Sequence, residues 1–218
     1  ARTRFEVIVG AILAQNVSWN KARTAVKNLK KAGIFSAQDI LNARPRDIAD
    51  KIRTARFYNQ KTEKLTAFCS YLMGKYYGSL NKMFSQDTEK LRVEMLNIKG
   101  IGKETADSIL LYAGKKLSFV SDAYTKRFLE RYGLLNGMKS YEDIRRYFMD
   151  KLPKDIYIYN EYHALIVHHC YLVCKSKPDC NRCSVRVLDK RNRCFYWSKK
   201  VGGAESDFLK WRKIGYDH

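Results

Sequence analysis

The chain has 218 residues, with 42 Lys and Arg against 22 Asp and Glu, and therefore a formal net charge of +20. An excess of this size, spread along the whole chain, indicates a polyanionic partner; nucleic acid is the first candidate and a membrane surface the weaker one. No apolar run reaches the roughly 18 residues that cross a bilayer, and no signal peptide opens the chain, so we expect a cytoplasmic protein that does not enter a membrane. Only 3 prolines and 12 glycines favour an all-α fold.

The N-terminal part of the chain predicts four helices, at residues 5–14, 19–30, 36–41 and 46–53. The turn between the first two contains Gln15, and Asn16 or Ser18 can cap the second helix. Pro45 stands at the start of the fourth, where a proline is tolerated. The next stretch, RFYNQK at residues 56–61, opens a long predicted helix that Gly78 ends.

A glycine-rich turn organises the rest of the chain. Gly100 and Gly102 flank one apolar residue between two helical patterns, which predicts a helix–turn–helix hairpin over residues 91–114. Both glycines suit backbone conformations with φ > 0 and let a partner approach the backbone closely. The N–H groups of Gly102 and Lys103 open the second helix, where an anion is favoured, and Lys99 lies beside them. We therefore predict that the turn binds a nucleic-acid phosphate.

Three more helices are predicted after the hairpin, at residues 123–132, 141–149 and 159–172. The last one contains His163, His168 and His169. None of these has a carboxylate or cysteine partner at a helical spacing suited to a shared metal ion, so we expect them to pack or to face phosphates.

Four cysteines, Cys174, Cys180, Cys183 and Cys194, lie within one basic loop. In a reducing compartment this density indicates a metal site and not a disulfide framework. Four thiolates suit zinc or an iron–sulfur cluster about equally. Cys170, one helical turn before the first of them, is an alternative ligand. The surrounding basic residues suggest a loop that holds DNA phosphates: Lys175, Lys177, Arg182, Arg186, Lys190 and Arg191.

The segment KGIGKETADSILLYA, with the apolar stretch and Asp122 that follow it, resembles the helix-hairpin-helix of the endonuclease III-like (HhH-GPD) DNA glycosylase superfamily. FYNQK resembles a second segment of that family. The resemblance covers residues 5–194 and implies a two-lobed helical HhH-GPD fold with a C-terminal four-cysteine cluster loop. The implied parts are a six-helix lobe at 20–130, a second lobe of 1–19 with 131–218, and a cluster loop at 174–194.

The same resemblance implies roles for individual residues. Asp122 matches the family's catalytic aspartate, Gln15 the glutamine that fills the space of a flipped base, and Phe57 a wedge between bases. Each has a structural alternative, namely an N-cap, a loop-capping amide and a core aromatic, respectively. The residues expected to bind the DNA backbone are Lys99, Gly100, Gly102 and Lys103. The cysteine loop would hold a [4Fe–4S] cluster, with zinc as the alternative. The interval between Cys183 and Cys194 is longer than is usual in the family.

Bifunctional members of the family use a lysine at the position of Glu104 to form a Schiff base. The resemblance therefore implies a monofunctional base-excision-repair glycosylase, in which Asp122 assists the attack of water at C1′ of a flipped nucleotide. The branch with the most similar motifs removes 3-methyladenine or uracil, so we expect duplex DNA with an alkylated purine or uracil as the substrate. We also expect a monomer associated with the nucleoid.

Three alternatives remain open from the sequence. A bifunctional glycosylase/lyase would recruit another lysine. A non-enzymatic HhH protein would keep the hairpin only as a phosphate clamp and would have no use for Asp122. A zinc-ribbon nucleic-acid module would require a β-rich segment around the cysteines, and the sequence predicts none.

Overall fold

The computed structural model describes residues 3–135, 137–188, 194 and 196. Every regular element within these residues is a helix, which confirms the predicted all-α fold. Lys190 and Arg191, expected near the cysteines, lie outside the described residues. No helix in the described part of the chain has the length and apolar character needed to cross a membrane.

Internal contacts divide the chain into two compact units, Ala1–Val120 with Leu152–Asn160, and Ser121–Lys151 with Glu161–His218. The described helices of the first unit include α1 (Arg4–Leu13), α2 (Trp19–Lys31), α3 (Ala37–Asn42), α4 (Pro45–Lys51), α5 (Tyr58–Tyr76), α6 (Leu80–Phe84), α7 (Thr88–Leu96) and α8 (Lys103–Ser108). A 3-10 turn, Arg53–Ala55, lies between α4 and α5, and a π-helical turn, Ile109–Ala113, extends α8.

Local sequence accounts for most of these helix starts. The Thr3 hydroxyl accepts a hydrogen bond from the backbone N–H of Glu6, and the Ser36 hydroxyl caps α3 in the same way. A side-chain cap of this kind stabilises a helix by about 0.5–2 kcal/mol, because it satisfies a backbone donor that has no partner within the helix. Pro45 is the first residue of α4, as predicted.

The core of the first unit is apolar and surrounds α1, which packs against α2 and α5. Its fully buried side chains include Ile8, Ile12, Leu29, Phe68 and Leu110. Burying a side chain of this kind contributes about 1.5–3 kcal/mol. The lobes expected from the sequence group residues 1–19 with the C-terminal part of the chain, whereas these contacts place α1 among the helices of the first unit.

A buried ion pair joins the two helices of the hairpin. Arg92 on α7 donates to both carboxylate oxygens of Asp107 on α8, at 2.7 and 3.0 Å, and Ser118 donates to the same carboxylate. Asp107 is fully buried. Because a lone buried charge costs several kcal/mol, this pair keeps the hairpin helices together only while both partners are present.

The described helices of the second unit include α9 (Ala123–Tyr132), α10 (Tyr141–Lys151), a 3-10 turn (Cys180–Arg182) and α12 (Ser184–Leu188). Between them lies α11 (Ile156–Leu172), which begins in the first unit and ends in the second. Gly133 ends α9 with φ 71°, a conformation that favours glycine.

Candidate active site and DNA-binding elements

The hairpin turn uses its two glycines differently. Gly100 has φ 82°, and a Cβ at this position would collide with the side chain of Lys64. Gly102 is extended, with φ −88° and ψ 176°, and caps α8 with open space beside it. Of the two glycines that suit φ > 0, only Gly100 adopts it. At Gly102 the missing side chain leaves the backbone accessible instead.

Gln15 lies against this turn. Its Nε2 donates to the carbonyl of Gly100 at 3.1 Å and to the hydroxyl of Thr105 at 2.9 Å, and Lys64 donates to its Oε1. The next residue, Asn16, has φ 55°. The side-chain amide of Gln15 thus joins the α1–α2 turn to the hairpin, a contact that matches the loop-capping alternative and leaves a role on DNA untested.

Phe57 stands in a strained segment before α5. Both Arg56 and Phe57 have positive φ, 50° and 45°, which costs a non-glycine residue about 1–3 kcal/mol. The ring of Phe57 is 56% exposed, so it is not the core aromatic that the sequence left open. Strained backbone of this kind clusters at functional sites, so Phe57 stays a candidate for contact with DNA.

Lys61, in the first turns of α5, connects the two segments. Its ammonium group donates to the carbonyl of Leu13, at 2.7 Å, and to that of Ala55. These carbonyls lie two residues before Gln15 and two before Phe57. Burial, together with the charge of Lys64, lowers the pKa of Lys61 to about 8. In the sequence analysis Lys61 appears only as part of the FYNQK motif, and its bonds to Leu13 and Ala55 were not predicted.

The other predicted DNA-binding residues of the first unit are exposed. Lys99 forms an ion pair with Glu63 at 2.8 Å, and Lys103 and Glu104 occupy the first turn of α8. The position expected for a Schiff-base lysine therefore carries an exposed carboxylate on the hairpin.

Asp122 belongs to the second unit, where it is the N-cap of α9. Its Oδ1 accepts hydrogen bonds from the backbone N–H and the hydroxyl of Thr125, at 2.8 and 3.0 Å. Its Oδ2 lies 3.5 Å from Nε2 of His163 on α11, and both side chains are about nine-tenths buried, with 12% and 11% exposed. The sequence analysis expected His163 only to pack or to face phosphates and did not predict this pairing, because nothing in the local pattern connects it to Asp122.

The Asp122 carboxylate is held in its charged form. Burial alone would favour the neutral acid, but the interactions with His163 and the hydrogen bonds from Thr125 outweigh it and keep the pKa of Asp122 below its ordinary value. A buried, ionised carboxylate can stabilise a developing cation or orient a water molecule.

The four predicted cysteine ligands line one pocket of the second unit. Cys170 is buried beside it and is not among the lining residues. Arg131 holds the start of the loop by donating to the carbonyls of Cys174, Lys175 and Ser176. It also donates to the sulfur of Cys174, and with Cys170 and His169 it lowers the pKa of that thiol, Cys170 contributing most.

The donor set fits either an iron–sulfur cluster or a zinc ion. In the described residues, no three His, Cys, Asp or Glu side chains converge as ligands of one metal ion. Four thiols around a shared pocket are the donors that iron–sulfur clusters use. His169 is also at this pocket, with its Nε2 3.7 Å from the sulfur of Cys183.

Comparison with known proteins agrees with the fold. Residues 9–154 match a family model described as HhH-GPD superfamily base excision DNA repair protein. The chain is 46% identical, over 188 residues and 85% of each chain, to the Methanocaldococcus jannaschii protein named "Putative DNA repair glycosylase MJ1434". It is similar to the structure of H. pylori 3-methyladenine DNA glycosylase bound to 1,N6-ethenoadenine, with 27% identity and a TM-score of 0.69. The match covers 76% of this chain and 83% of the glycosylase. Endonuclease III in a non-covalent complex with DNA shares the fold, with 20% identity and a TM-score of 0.78. The match covers 93% of this chain and 87% of endonuclease III.

Proposed function

The chain belongs to the HhH-GPD superfamily of base excision DNA repair proteins, and on this basis we propose that it is a monofunctional DNA glycosylase with Asp122 as its catalytic carboxylate. The observation that carries the proposal is the buried, ionised carboxylate of Asp122 at the start of α9. In the proposed reaction, water adds to C1′ and the bond to the base nitrogen breaks, with its electron pair leaving on the base. Asp122 stabilises the oxocarbenium-like sugar and accepts the proton of the water.

The first unit supplies the proposed DNA-binding elements. Gly100, Gly102 and Lys103 would bind a backbone phosphate through the hairpin, with Lys99 exchanging Glu63 for the phosphate. Phe57 would enter the base stack, where its exposed ring can replace the contacts of an extruded nucleotide. Gln15 would exchange its bonds to Gly100 and Thr105 for contacts in the space of the flipped base.

The absence of lyase activity is proposed from Glu104. A carboxylate cannot form an imine, and a Schiff base needs an unprotonated amine at the sugar. Lys61 has a pKa of about 8, low enough to be partly neutral, but it is buried and its nitrogen is engaged by two carbonyls. It therefore cannot act as the nucleophile.

An alkylated purine or uracil is the proposed target base, in double-stranded DNA. The similarity to a 3-methyladenine DNA glycosylase supports the alkylated purine. We also propose a [4Fe–4S] cluster on Cys174, Cys180, Cys183 and Cys194; when bound, it would cross-link the loop as a structural brace. A zinc ion on the same cysteines remains the other candidate. Iron and sulfide analysis of freshly purified protein, with its visible absorbance, decides between them.

The decisive experiment is a panel of duplexes, each with one modified base, scored for abasic sites under single-turnover conditions. The panel includes 3-methyladenine, 1,N6-ethenoadenine, uracil and undamaged controls. We expect release of at least one damaged base, with strand breakage only after heat or alkali treatment. Binding of duplexes without any base release across the panel would favour the non-enzymatic HhH alternative.

A further inference from the structure

His163 and Asp122 form a buried pair in the second unit. Nε2 of His163 lies 3.5 Å from Oδ2 of Asp122, which is ion-pair distance when the imidazole is protonated. The other carboxylate oxygen, Oδ1, is used by the N-cap, where Thr125 donates to it twice. The two oxygens of one carboxylate therefore have different tasks: one caps a helix and the other faces a histidine.

We infer that His163 is a positioning residue for base release, which fixes the orientation of the Asp122 carboxylate. The inference rests on the proposed function. It goes further by assigning a role to His163, which lies outside both the FYNQK segment and the hairpin. His163 transfers no proton in this role and does not touch the substrate.

The physical argument begins with the carboxylate. The cap binds only Oδ1, so a coupled rotation about the Cα–Cβ and Cβ–Cγ bonds could still move Oδ2 while Oδ1 stays near Thr125. A second contact at Oδ2 stops this rotation and so defines the direction in which the negative charge points. Preorganised charge contributes to catalysis because it need not reorient as the cation develops.

Burial makes the same contact electrostatically important. With only 12% of the Asp122 side chain exposed, desolvation favours its neutral form. A neutral acid can neither stabilise an oxocarbenium ion nor accept a proton from water. The contact with His163 favours the charged form of Asp122, and so do the hydrogen bonds from Thr125 at the cap.

The test compares His163→Leu, which removes the contact, with His163→Gln, which keeps an N–H donor on a side chain of similar reach. Tyr157→Leu is the control, because Tyr157 lies six residues earlier on the same helix and is 71% exposed. Each variant is assayed for single-turnover base release, for affinity to an uncleaved duplex and for thermal unfolding. The titration of Asp122 is followed separately by carboxyl ¹³C NMR.

For His163→Leu we expect base release to fall roughly 10–100-fold, which corresponds to the loss of about 1.4–2.8 kcal/mol of transition-state stabilisation. Duplex affinity should stay within about two-fold, and the pKa of Asp122 should rise. His163→Gln should recover most of the rate, and the control should match wild type. A wild-type rate in His163→Leu, or an unchanged Asp122 titration, would overturn the inference. If the wild-type protein releases no base at all, the proposed function fails, while the titration still decides the role of His163.

Discussion

The ammonium group of Lys61 donates a hydrogen bond to the carbonyl of Leu13 at 2.7 Å. This bond fastens the end of α1 to the first turns of α5, and a second bond from the same group reaches Ala55. One buried cation thus holds the turn that carries Gln15 and the strained segment that carries Phe57. The two proposed base-contacting residues therefore share a common support within the first unit.

Replacing this cation should weaken both segments. In Lys61→Met the two carbonyls lose their donor, and each buried unsatisfied acceptor costs about 1–3 kcal/mol. We expect a lower free energy of unfolding in urea and a weaker preference for duplexes with a damaged base. Lys27→Met, on the exposed face of α2, is the control and should behave as wild type. Unchanged stability of Lys61→Met would show that water replaces the ammonium at no cost.

The same residue predicts a pH dependence. The pKa of Lys61 is about 8 in the folded protein against an ordinary value of 10.5, so between these pH values the unfolded chain binds more protons. The contribution of Lys61 to stability should therefore rise with pH from about 8 to 10.5, by at most about 3.4 kcal/mol. The difference in unfolding free energy between wild type and Lys61→Met isolates it from other titrations. A gap that stays constant across this range would contradict the lowered pKa.

Asp122→Asn should abolish base release without unfolding the protein. Asparagine caps helices about as well as aspartate, so α9 should keep its start. Without the negative charge, we expect a loss of roughly 10²–10⁴-fold in the single-turnover rate, and duplex affinity close to that of wild type. Asp87→Asn, which alters the cap of α7 in the same way, controls for capping. Equal losses of binding and cleavage in Asp122→Asn would reduce Asp122 to a structural cap.

The two hairpin glycines should respond differently to alanine. Gly100→Ala places a side chain at φ 82° and against Lys64, so we expect it to destabilise the protein by about 1–3 kcal/mol. Gly102→Ala meets open space and should leave stability within about 0.5 kcal/mol of wild type. It should nevertheless weaken binding to damaged and undamaged duplexes alike. A base-specific effect of Gly102→Ala would argue against a phosphate contact at this turn.

Glu104 predicts the outcome of covalent trapping. With borohydride we expect no protein–DNA adduct from the wild-type protein, because the residue at this position cannot form an imine. Glu104→Lys introduces an amine at an exposed position of α8, and we expect it to give a trapped adduct and weak strand cleavage. Glu104→Gln, which lacks an amine nucleophile, is the control. Efficient trapping by the wild-type protein would identify another lysine as a nucleophile and the enzyme as bifunctional.

The sequence by itself determined the features whose causes are local. Helical periodicity, the cap at Asp122 and the proline at the start of α4 depend on residues within one or two turns of each other, so their pattern can be read directly. The glycine-rich hairpin and its family resemblance are local in the same sense, and the comparisons confirm both the family and the helical fold.

Tertiary structure decided the contacts between distant parts of the chain. Gln15 meets Gly100 across 85 residues, Lys61 meets Leu13 across 48, and His163 reaches Asp122 from another helix. Such contacts depend on how helices pack, which sets distance, burial and hydrogen-bond geometry together. Helical periodicity indicates which face of a helix is buried, but it does not indicate which polar group of another helix that face will contact. For that reason the sequence and its family resemblance identified Asp122 as a candidate catalytic residue, whereas only the packed structure showed that His163 lies beside it.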